Sequence, residues 1–174
     1  MTRIKTPKII YDFASAELTE KQTLITPELV VAIAKVESNW NIWAVRYEKN
    51  YKYLYYPRKV KPSDCSIETE IIAQKTSWGL CQIMGAVARE YGFEGWLTRL
   101  LEPYQNIKYA VKHLLTLEKR YKRFGLSGII SAYNAGSPRM VNGKYINQDY
   151  INKVYRALQE VKQDGTENKF RENR

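Results

Sequence analysis

Glu37 is the side chain of this sequence whose position most directly suggests chemistry. It follows Val30, Ile33 and Ala34 at the three- and four-residue spacing of one helix face, in the segment TPELVVAIAKVESNWN. A glutamate on an apolar face loses hydration, which disfavours its charged form and raises its pKa. A carboxyl group that keeps its proton can act as a general acid. The alternative is that Glu37 lies where the apolar stripe ends and pairs with a surface lysine or arginine.

Polar and aromatic side chains follow Glu37 directly. Ser38, Asn39 and Trp40 combine hydrogen-bonding groups with a large ring. This combination beside a carboxyl group suits a carbohydrate-binding cleft. Ser38 and Asn39 would also serve as ordinary helix-terminating residues, so the segment alone leaves both interpretations open.

Glu48 is a second carboxylate close to Glu37 in the chain. It is flanked by Tyr47 and Lys49, within a stretch that is rich in aromatic and basic residues. Two carboxyl groups in different environments can divide the work of proton donor and base. Glu48 is therefore either a second catalytic carboxylate or half of a surface ion pair.

Three uncharged polar side chains occupy positions at which they could bond a ligand. The pattern of residues 76–92 predicts a helix that carries Gln82 among apolar neighbours. A buried amide must be hydrogen-bonded, either to protein or to substrate. Tyr133 and Asn134 lie at the end of a short predicted helix, residues 126–136, where they could hold a polar ligand or cap the turn.

The helix that carries Glu37 is well specified at its start. Thr26 can cap the first turn, and Pro27 stands where its missing backbone donor costs nothing. We therefore predict a helix within residues 26–41. A short helix near residues 12–20 precedes it.

Two further helices complete the predicted scaffold. Residues 103–124 form a long amphipathic pattern that stops at Gly125, and the His113 within it is expected to be structural. Asn147 is predicted to cap a last helix, with Tyr150 in its first turn. Residues 137–147, between the short predicted helix at residues 126–136 and the last helix, are predicted to form a loop.

Residues 43–77 differ in composition from the predicted helices. Aromatic residues alternate with lysine and arginine there, and Tyr51, Tyr53 and Tyr55 alternate as they would in a strand. Such a mixture can stack single-stranded bases, stack sugar rings or cover a small core. We expect a small lobe that contains strands.

Length and composition favour one globular domain with an acidic partner. The chain has 174 residues, of which 44% are hydrophobic and 13% aromatic, and a formal net charge of +10. We place the domain at residues 23–162, between a basic lead-in, residues 1–22, and a polar tail, residues 163–174, that is predicted to be disordered. The charge favours nucleic acid, an anionic membrane or the polyanionic wall of a bacterium.

Cysteine and histidine usage argues against a metal site. Cys65 and Cys81 are too few for a disulfide framework, and the single His113 allows no zinc-ligand spacing. We predict free thiols, no metal and no cofactor. The first residues lack the apolar core of a signal peptide, and no later run is long enough to span a bilayer, so export would need another route.

Four segments, VESNWN, SWGLCQIMG, SAYNAG and DYINKV, together resemble the ordered motifs of the lytic transglycosylase and goose-type lysozyme superfamily. Each motif alone is weak, but their order and their span of about residues 29–161 make the set specific. The resemblance implies a mainly α, lysozyme-like α+β fold, with a helical lobe, a small strand-containing lobe and a sugar-binding cleft between them.

The resemblance also implies a role for individual residues. Glu37 matches the catalytic acid of the superfamily, and the substrate-binding positions are Ser38, Gly79, Gln82, Tyr133, Asn134 and Tyr150.

The sequence departs from the family pattern in two places. Cys81 and Gly85 stand where the second motif commonly has Met and Pro. More consequential is the long segment between Glu37 and Gly79, which looks like the insert of phage-encoded muramidases of this superfamily. In that insert an acid that ends an Ala-x-Arg-aromatic-Glu run is a second carboxylate, and the run AVRYE here ends at Glu48.

The implied reaction is cleavage of peptidoglycan between N-acetylmuramic acid and N-acetylglucosamine, with Glu37 as general acid. Either Glu48 directs a water molecule, as in a muramidase, or the hydroxymethyl group of muramic acid attacks its own anomeric carbon and Glu37 works alone. A wall-binding module without turnover is the remaining alternative.

We expect a monomeric phage lysis or virion enzyme that acts on bacterial peptidoglycan. Its charge suits an anionic envelope surface, and we do not expect nucleic acid as the partner. It would pass from the host cytoplasm to the periplasm and wall through a holin-like route, or arrive on the virion.

Overall fold

The computed structural model describes residues 6–19 and 22–171, with the side chains of residues 7–19 and 22–164. The described chain is mostly helical, with two small sheets, which confirms the predicted mainly α, lysozyme-like class. The helices are α1 Thr6–Glu17, α2 Pro27–Ser38, α3 Pro57–Val60, α4 Ile67–Gln74, α5 Gly85–Glu90, α6 Pro103–Tyr121, α7 Gly125–Ala135 and α8 Gln148–Arg171, with 3-10 turns at Leu97–Leu101 and Lys122–Phe124. The strands are β1 Val45–Tyr47, β2 Thr76–Trp78, β3 Ile83–Met84, β4 Met140–Val141 and β5 Lys144–Tyr145.

Helix α2 forms the centre of the helical lobe. Thr26 Oγ1 accepts from the backbone N–H of Leu29 at 3.3 Å, which confirms the predicted cap. Its residues 29–34 are each at most 1% exposed, so this part of the helix is buried on all sides. The helix ends at Ser38 because Asn39 adopts a left-handed conformation, with φ of 51°. It is thus shorter than the predicted range of 26–41, and Glu37 lies in its last turn.

The other long helices surround α2. Helices α1 and α8 pack along it, α1 also contacts α6, and α7 contacts both α6 and α8. Ile10 and Ala14 of α1 are fully buried, so the segment that we predicted as a lead-in adds a helix to the core. At the other end, the helical backbone of α8 continues to Arg171, past residue 163 where we placed the start of a disordered tail. Residues 172–174 of that tail lie outside the described residues.

The small lobe contains a three-stranded antiparallel sheet in the order β1-β2-β3. Its strand β3 and the turn before it contain Ile83 and Gln82, where we predicted the start of a helix within residues 76–92. That prediction is wrong because Gly79 and Gln82, on either side of the turn, have φ of 65° and 49°, which a right-handed helix does not allow. The helical pattern is realised only from Gly85 onward, as α5.

The predicted strand at Tyr51, Tyr53 and Tyr55 is also wrong. These residues have no strand partner, and the backbone of Tyr55 is satisfied instead by one side chain. Its N–H donates to Gln74 Oε1 at 2.8 Å, and its carbonyl accepts from Gln74 Nε2 at 3.0 Å. In contrast, residues 137–147, which we read as a loop, contain the β4–β5 hairpin.

A buried ion pair fixes the small lobe on α5. Arg89 donates to both carboxylate oxygens of Glu70 at 2.8 and 2.9 Å, and to the backbone carbonyls of Phe93 and Gly95. Both side chains are at most 2% exposed. Gln74 bonds the same carboxylate, so one connected network joins α4, α5 and the backbone of Tyr55. Losing one partner would leave a buried charge uncompensated.

Candidate active site

Glu37 and Tyr150 meet where the last turn of α2 touches the first turn of α8. The Tyr150 hydroxyl donates to Glu37 Oε1 at 2.6 Å. Among the described residues no other group donates to this carboxyl. Because no buried side-chain oxygen there lacks a partner, Oε2 must reach solvent. The geometry therefore leaves one oxygen anchored and the other open to a substrate.

The surroundings of Glu37 favour its protonated form. Burial raises the pKa of this carboxyl above 4.5, while the hydrogen bond from Tyr150 and the positive charge of Arg46 oppose the rise. Removal of water is the largest of these influences, and it penalises the anion. A half-buried carboxyl group with a raised pKa has the property required of a general acid near neutral pH.

The turn between β2 and β3 is held beside Glu37 by side chains from two other parts of the chain. Ser38, the neighbour of Glu37, donates to the carbonyl of Leu80 at 2.8 Å. Tyr133, near the end of α7, donates to the carbonyl of Cys81 at 2.7 Å. The structure thus brings together residues of all four motifs. Ser38 and Tyr133 are bonded here to protein backbone.

Gln82 is also bonded to protein. Its Nε2 donates to the carbonyls of Gly79 at 2.9 Å and Ala44 at 3.1 Å. The Gly79 N–H donates to the same Ala44 carbonyl at 2.7 Å. The amide therefore ties the turn to the segment that precedes β1, and this leaves its carbonyl oxygen as the group that a ligand could bond.

Asn106 is a positioning residue that the sequence analysis missed. It is fully buried in the first turn of α6, accepts from the Cys81 N–H at 2.8 Å and donates to the carbonyls of Trp78 and Leu100. A Cβ added to Gly79 would lie 2.6 Å from Asn106 Nδ2, so a side chain there is excluded. The available signal was a polar residue four positions before Ala110 on the apolar stripe of α6.

Asn134 lies on the exposed side of this region. Its Oδ1 accepts from Asn147 Nδ2 at 3.0 Å. Asn147 also bonds Ser131 of α7 through both of its side-chain atoms. Asn147 directly precedes Gln148, the first residue of α8, and so occupies the predicted cap position, but these bonds hold its side chain against α7. Its backbone carbonyl accepts from the Tyr150 N–H instead.

Glu48 follows β1 and forms an ion pair with Arg46. Its backbone N–H donates to the carbonyl of Lys75 at 2.8 Å, which continues the β1–β2 ladder by one residue. Arg46 is also the charge that lowers the pKa of Glu37. Glu48 is thus half of an ion pair, which is one of the two interpretations made from the sequence.

The remaining titratable groups near Glu37 stay uncharged. Burial raises the pKa values of Tyr133, Tyr150 and Cys81, so the three are neutral at pH 7. Burial lowers the pKa of His113 to about 4, and its ring bonds the Tyr91 hydroxyl, in keeping with a structural role. Both cysteines are free and buried.

Neither a metal cluster nor a membrane span is found in the described part of the chain. No group of three or more His, Cys, Asp or Glu side chains there could hold a metal ion. None of the described helices combines the length and the apolarity needed to cross a bilayer.

A helical lobe, a small sheet and a half-buried acid at their junction define the lysozyme-like class of glycosidases. The comparison with known families agrees, because the model of the transglycosylase SLT domain matches residues 15–155. The chain belongs to this family. No curated protein sequence and no solved structure matches it significantly.

Membership of the family confirms the resemblance drawn from the four sequence motifs. The protein is a peptidoglycan-cleaving enzyme, and its substrate is bacterial peptidoglycan.

Proposed function

We propose that this protein is a lytic transglycosylase in which Glu37 acts first as acid and then as base. Glu37 protonates the oxygen that links N-acetylmuramic acid to N-acetylglucosamine, and the bond from that oxygen to C1 of muramic acid breaks. The 6-hydroxyl of the same muramic acid then attacks C1 and returns its proton to Glu37. The products are a 1,6-anhydro sugar and a free 4-hydroxyl, and no water is consumed.

The observation that carries this proposal is the state of Glu37. One oxygen is anchored by Tyr150, and burial raises the pKa of the carboxyl. A carboxyl with a raised pKa is a more basic anion once it has lost its proton, so it is suited to recover a proton from a hydroxyl group. The same group can therefore serve both halves of the reaction.

A second candidate function, hydrolysis by a muramidase mechanism, is favoured by the position of Arg46. This residue is ion-paired with Glu48, and its charge also acts on Glu37. Hydrolysis of this kind requires a second carboxylate that directs a water molecule. That mechanism places the two carboxyl groups roughly 6.5–9.5 Å apart. Against it, Arg46 already bonds Glu48 Oε1, an oxygen that a base would have to offer to a water molecule.

End-group analysis separates the two mechanisms. Purified peptidoglycan would be digested with wild type and with Glu48→Gln, and the muramic acid ends identified by mass spectrometry. We expect anhydro ends from both, with a rate for the variant within about threefold of wild type. Reducing ends, together with a loss of about a hundredfold in Glu48→Gln, would support the muramidase instead. If soluble, folded wild type showed no turnover, a wall-binding module without catalytic activity would be the remaining interpretation.

We also propose that the enzyme serves a phage, either in lysis or on the virion. The support is the resemblance of the segment between Glu37 and Gly79 to the insert of phage-encoded muramidases. A lysis role predicts that bacteria producing the protein lyse promptly only when a pore-forming membrane protein is produced with it. Prompt lysis by the enzyme alone would contradict the holin-like route.

A further inference from the structure

The outer side of α6 carries positive charges that catalysis does not use. Six cations lie within residues 108–123, namely Lys108, Lys112, Lys119, Arg120, Lys122 and Arg123. The single acid in this range, Glu118, is buried and bonds Thr23 and the N–H of Leu24 on the inner side. None of the ion pairs among the described residues includes any of the six cations.

Helical geometry places three of these cations in one row. Lys108, Lys112 and Lys119 are four and seven residues apart, so their side chains leave the helix on the same face. At a rise of 1.5 Å per residue, the row is about 17 Å long. We call Lys108, Lys112 and Lys119 the lysine row.

Aromatic rings lie under several of the six cations. Lys108 is 5.9 Å from the ring centre of Tyr104, Lys112 is 5.1 Å from that of Tyr109, and Arg123 is 4.8 Å from that of Phe124. Such contacts stabilise the position of a cation and cover one face of the ring. The charges are thereby held in a defined arrangement.

From this arrangement we infer that the lysine row binds a linear phosphodiester polymer of the bacterial wall. A straight row of cations matches a chain with regularly spaced negative charges. On the described surface between residues 104 and 123, Tyr104 is the one large apolar side chain that is exposed, and a single ring is less than the apolar face with which a helix inserts into a bilayer. Of the three rings under the cations, Tyr109 is 7% exposed and Phe124 is partly buried, so Tyr104 alone is open to a base, and one ring does not provide the succession of stacking positions that single-stranded nucleic acid needs.

The inference goes beyond the proposed function and does not depend on the cleavage mechanism. Because peptidoglycan is the substrate, a polymer attached to the same wall would keep the enzyme close to its glycan strands. Binding through the lysine row would raise the local concentration of enzyme and leave the chemistry at Glu37 unchanged.

Two triple variants with the same net charge test the inference. In the first, Lys108, Lys112 and Lys119 are changed to Gln. In the matched control, Lys52, Arg58 and Lys59 are changed to Gln, since these residues are also exposed and belong to none of the described ion pairs. Binding to fluorescently labelled poly(glycerol phosphate) is then measured by anisotropy over a range of salt concentrations.

The lysine-row variant should bind the polymer about tenfold more weakly. The slope of log K against the logarithm of the salt concentration should also be smaller in magnitude by about two, as expected when three phosphate contacts are lost. The control should stay within about twofold of wild type. Equal weakening of the two variants would overturn the inference, because net charge alone would then explain binding. Tighter binding of wild type to phosphatidylglycerol vesicles or to a single-stranded oligonucleotide would overturn it as well.

Turnover of purified glycan strands that lack the polymer serves as the internal check. The lysine-row variant should cleave them at the wild-type rate. A protein that binds the polymer but cleaves nothing would refute the proposed function and leave this inference standing.

Discussion

The Tyr150 hydroxyl donates to Glu37 Oε1 at 2.6 Å and so joins side chains that are 113 positions apart in the chain. This bond fixes one oxygen of the candidate acid and directs the other towards solvent. It also sets the first turn of α8 against the last turn of α2, the helix at the centre of the helical lobe. The orientation of the acid therefore depends on the fold of the whole domain.

Tyr150→Phe should raise the pKa of Glu37 further and lower its activity. The hydrogen bond stabilises the carboxylate and so lowers its pKa, while burial, which raises the pKa, remains. The alkaline limb of the pH–activity profile should therefore move to higher pH. The maximal rate should fall roughly tenfold because an oriented charge-assisted bond is lost.

A matched control is available on the same helix. Tyr155 also makes a single hydroxyl contact, with Ser127 Oγ at 2.9 Å, so Tyr155→Phe removes a comparable bond away from the carboxyl. It should leave the pH profile unchanged. A Tyr150→Phe profile that coincides with that of wild type would argue against the role given to this bond.

Glu37 should make the stability of the protein depend on pH in an unusual direction for a carboxyl group. Its pKa is raised in the folded state above 4.5, so the folded protein binds more protons than the unfolded chain in this range. The contribution of Glu37 to stability is therefore complete below about pH 4.5 and is lost as pH rises through the folded pKa. Thermal unfolding of wild type and Glu37→Gln across this range measures the difference, which should grow in favour of the variant as pH rises. Parallel curves would mean that burial does not perturb the carboxyl.

Asn106→Ala should destabilise the protein and slow catalysis, although Asn106 does not contact the reacting atoms. The change leaves the Cys81 N–H and the carbonyls of Trp78 and Leu100 without their partner, at a cost of about 3 kcal/mol in the free energy of unfolding. Denaturant unfolding gives this value. Asn152→Ala is the control, because Asn152 is exposed and bonded only to Gln148, and it should stay within about 0.5 kcal/mol of wild type.

The rate of Asn106→Ala is informative at a temperature where it is still folded. A displaced turn should lower kcat more than it raises KM, since the turn positions groups around Glu37 and binds little of the sugar itself. Normal kcat in a destabilised variant would limit Asn106 to a structural role.

The helices that follow local rules were predictable from the sequence. The cap at Thr26, the stop of α6 near Gly125 and the apolar stripe of α8 each depend on residues within a few positions of one another. The position of Glu37 was predictable for the same reason, because its place on the apolar stripe depends only on residues of α2. The four motifs then identified the family.

The small lobe was not predictable in this way because its structure depends on distant partners. Gln82 sits in an apolar run that favours a helix, yet its left-handed backbone is held by bonds to Ala44 and Gly79. Tyr55 is satisfied by the side chain of Gln74 rather than by a neighbouring strand. No local pattern encodes these pairings, and the contacts of Asn106 were missed for the same reason.

The central claim, that Glu37 is the proton donor, is tested most directly by the rate at which Glu37→Gln cleaves purified peptidoglycan. Glu28→Gln, a change in the first turn of the same helix, is the control for loss of one acidic charge from α2. The account predicts that Glu37→Gln is folded and at least about a hundredfold slower than wild type, given the usual size of general-acid effects, while Glu28→Gln is unaffected. A Glu37→Gln rate above about a tenth of wild type would contradict the claim.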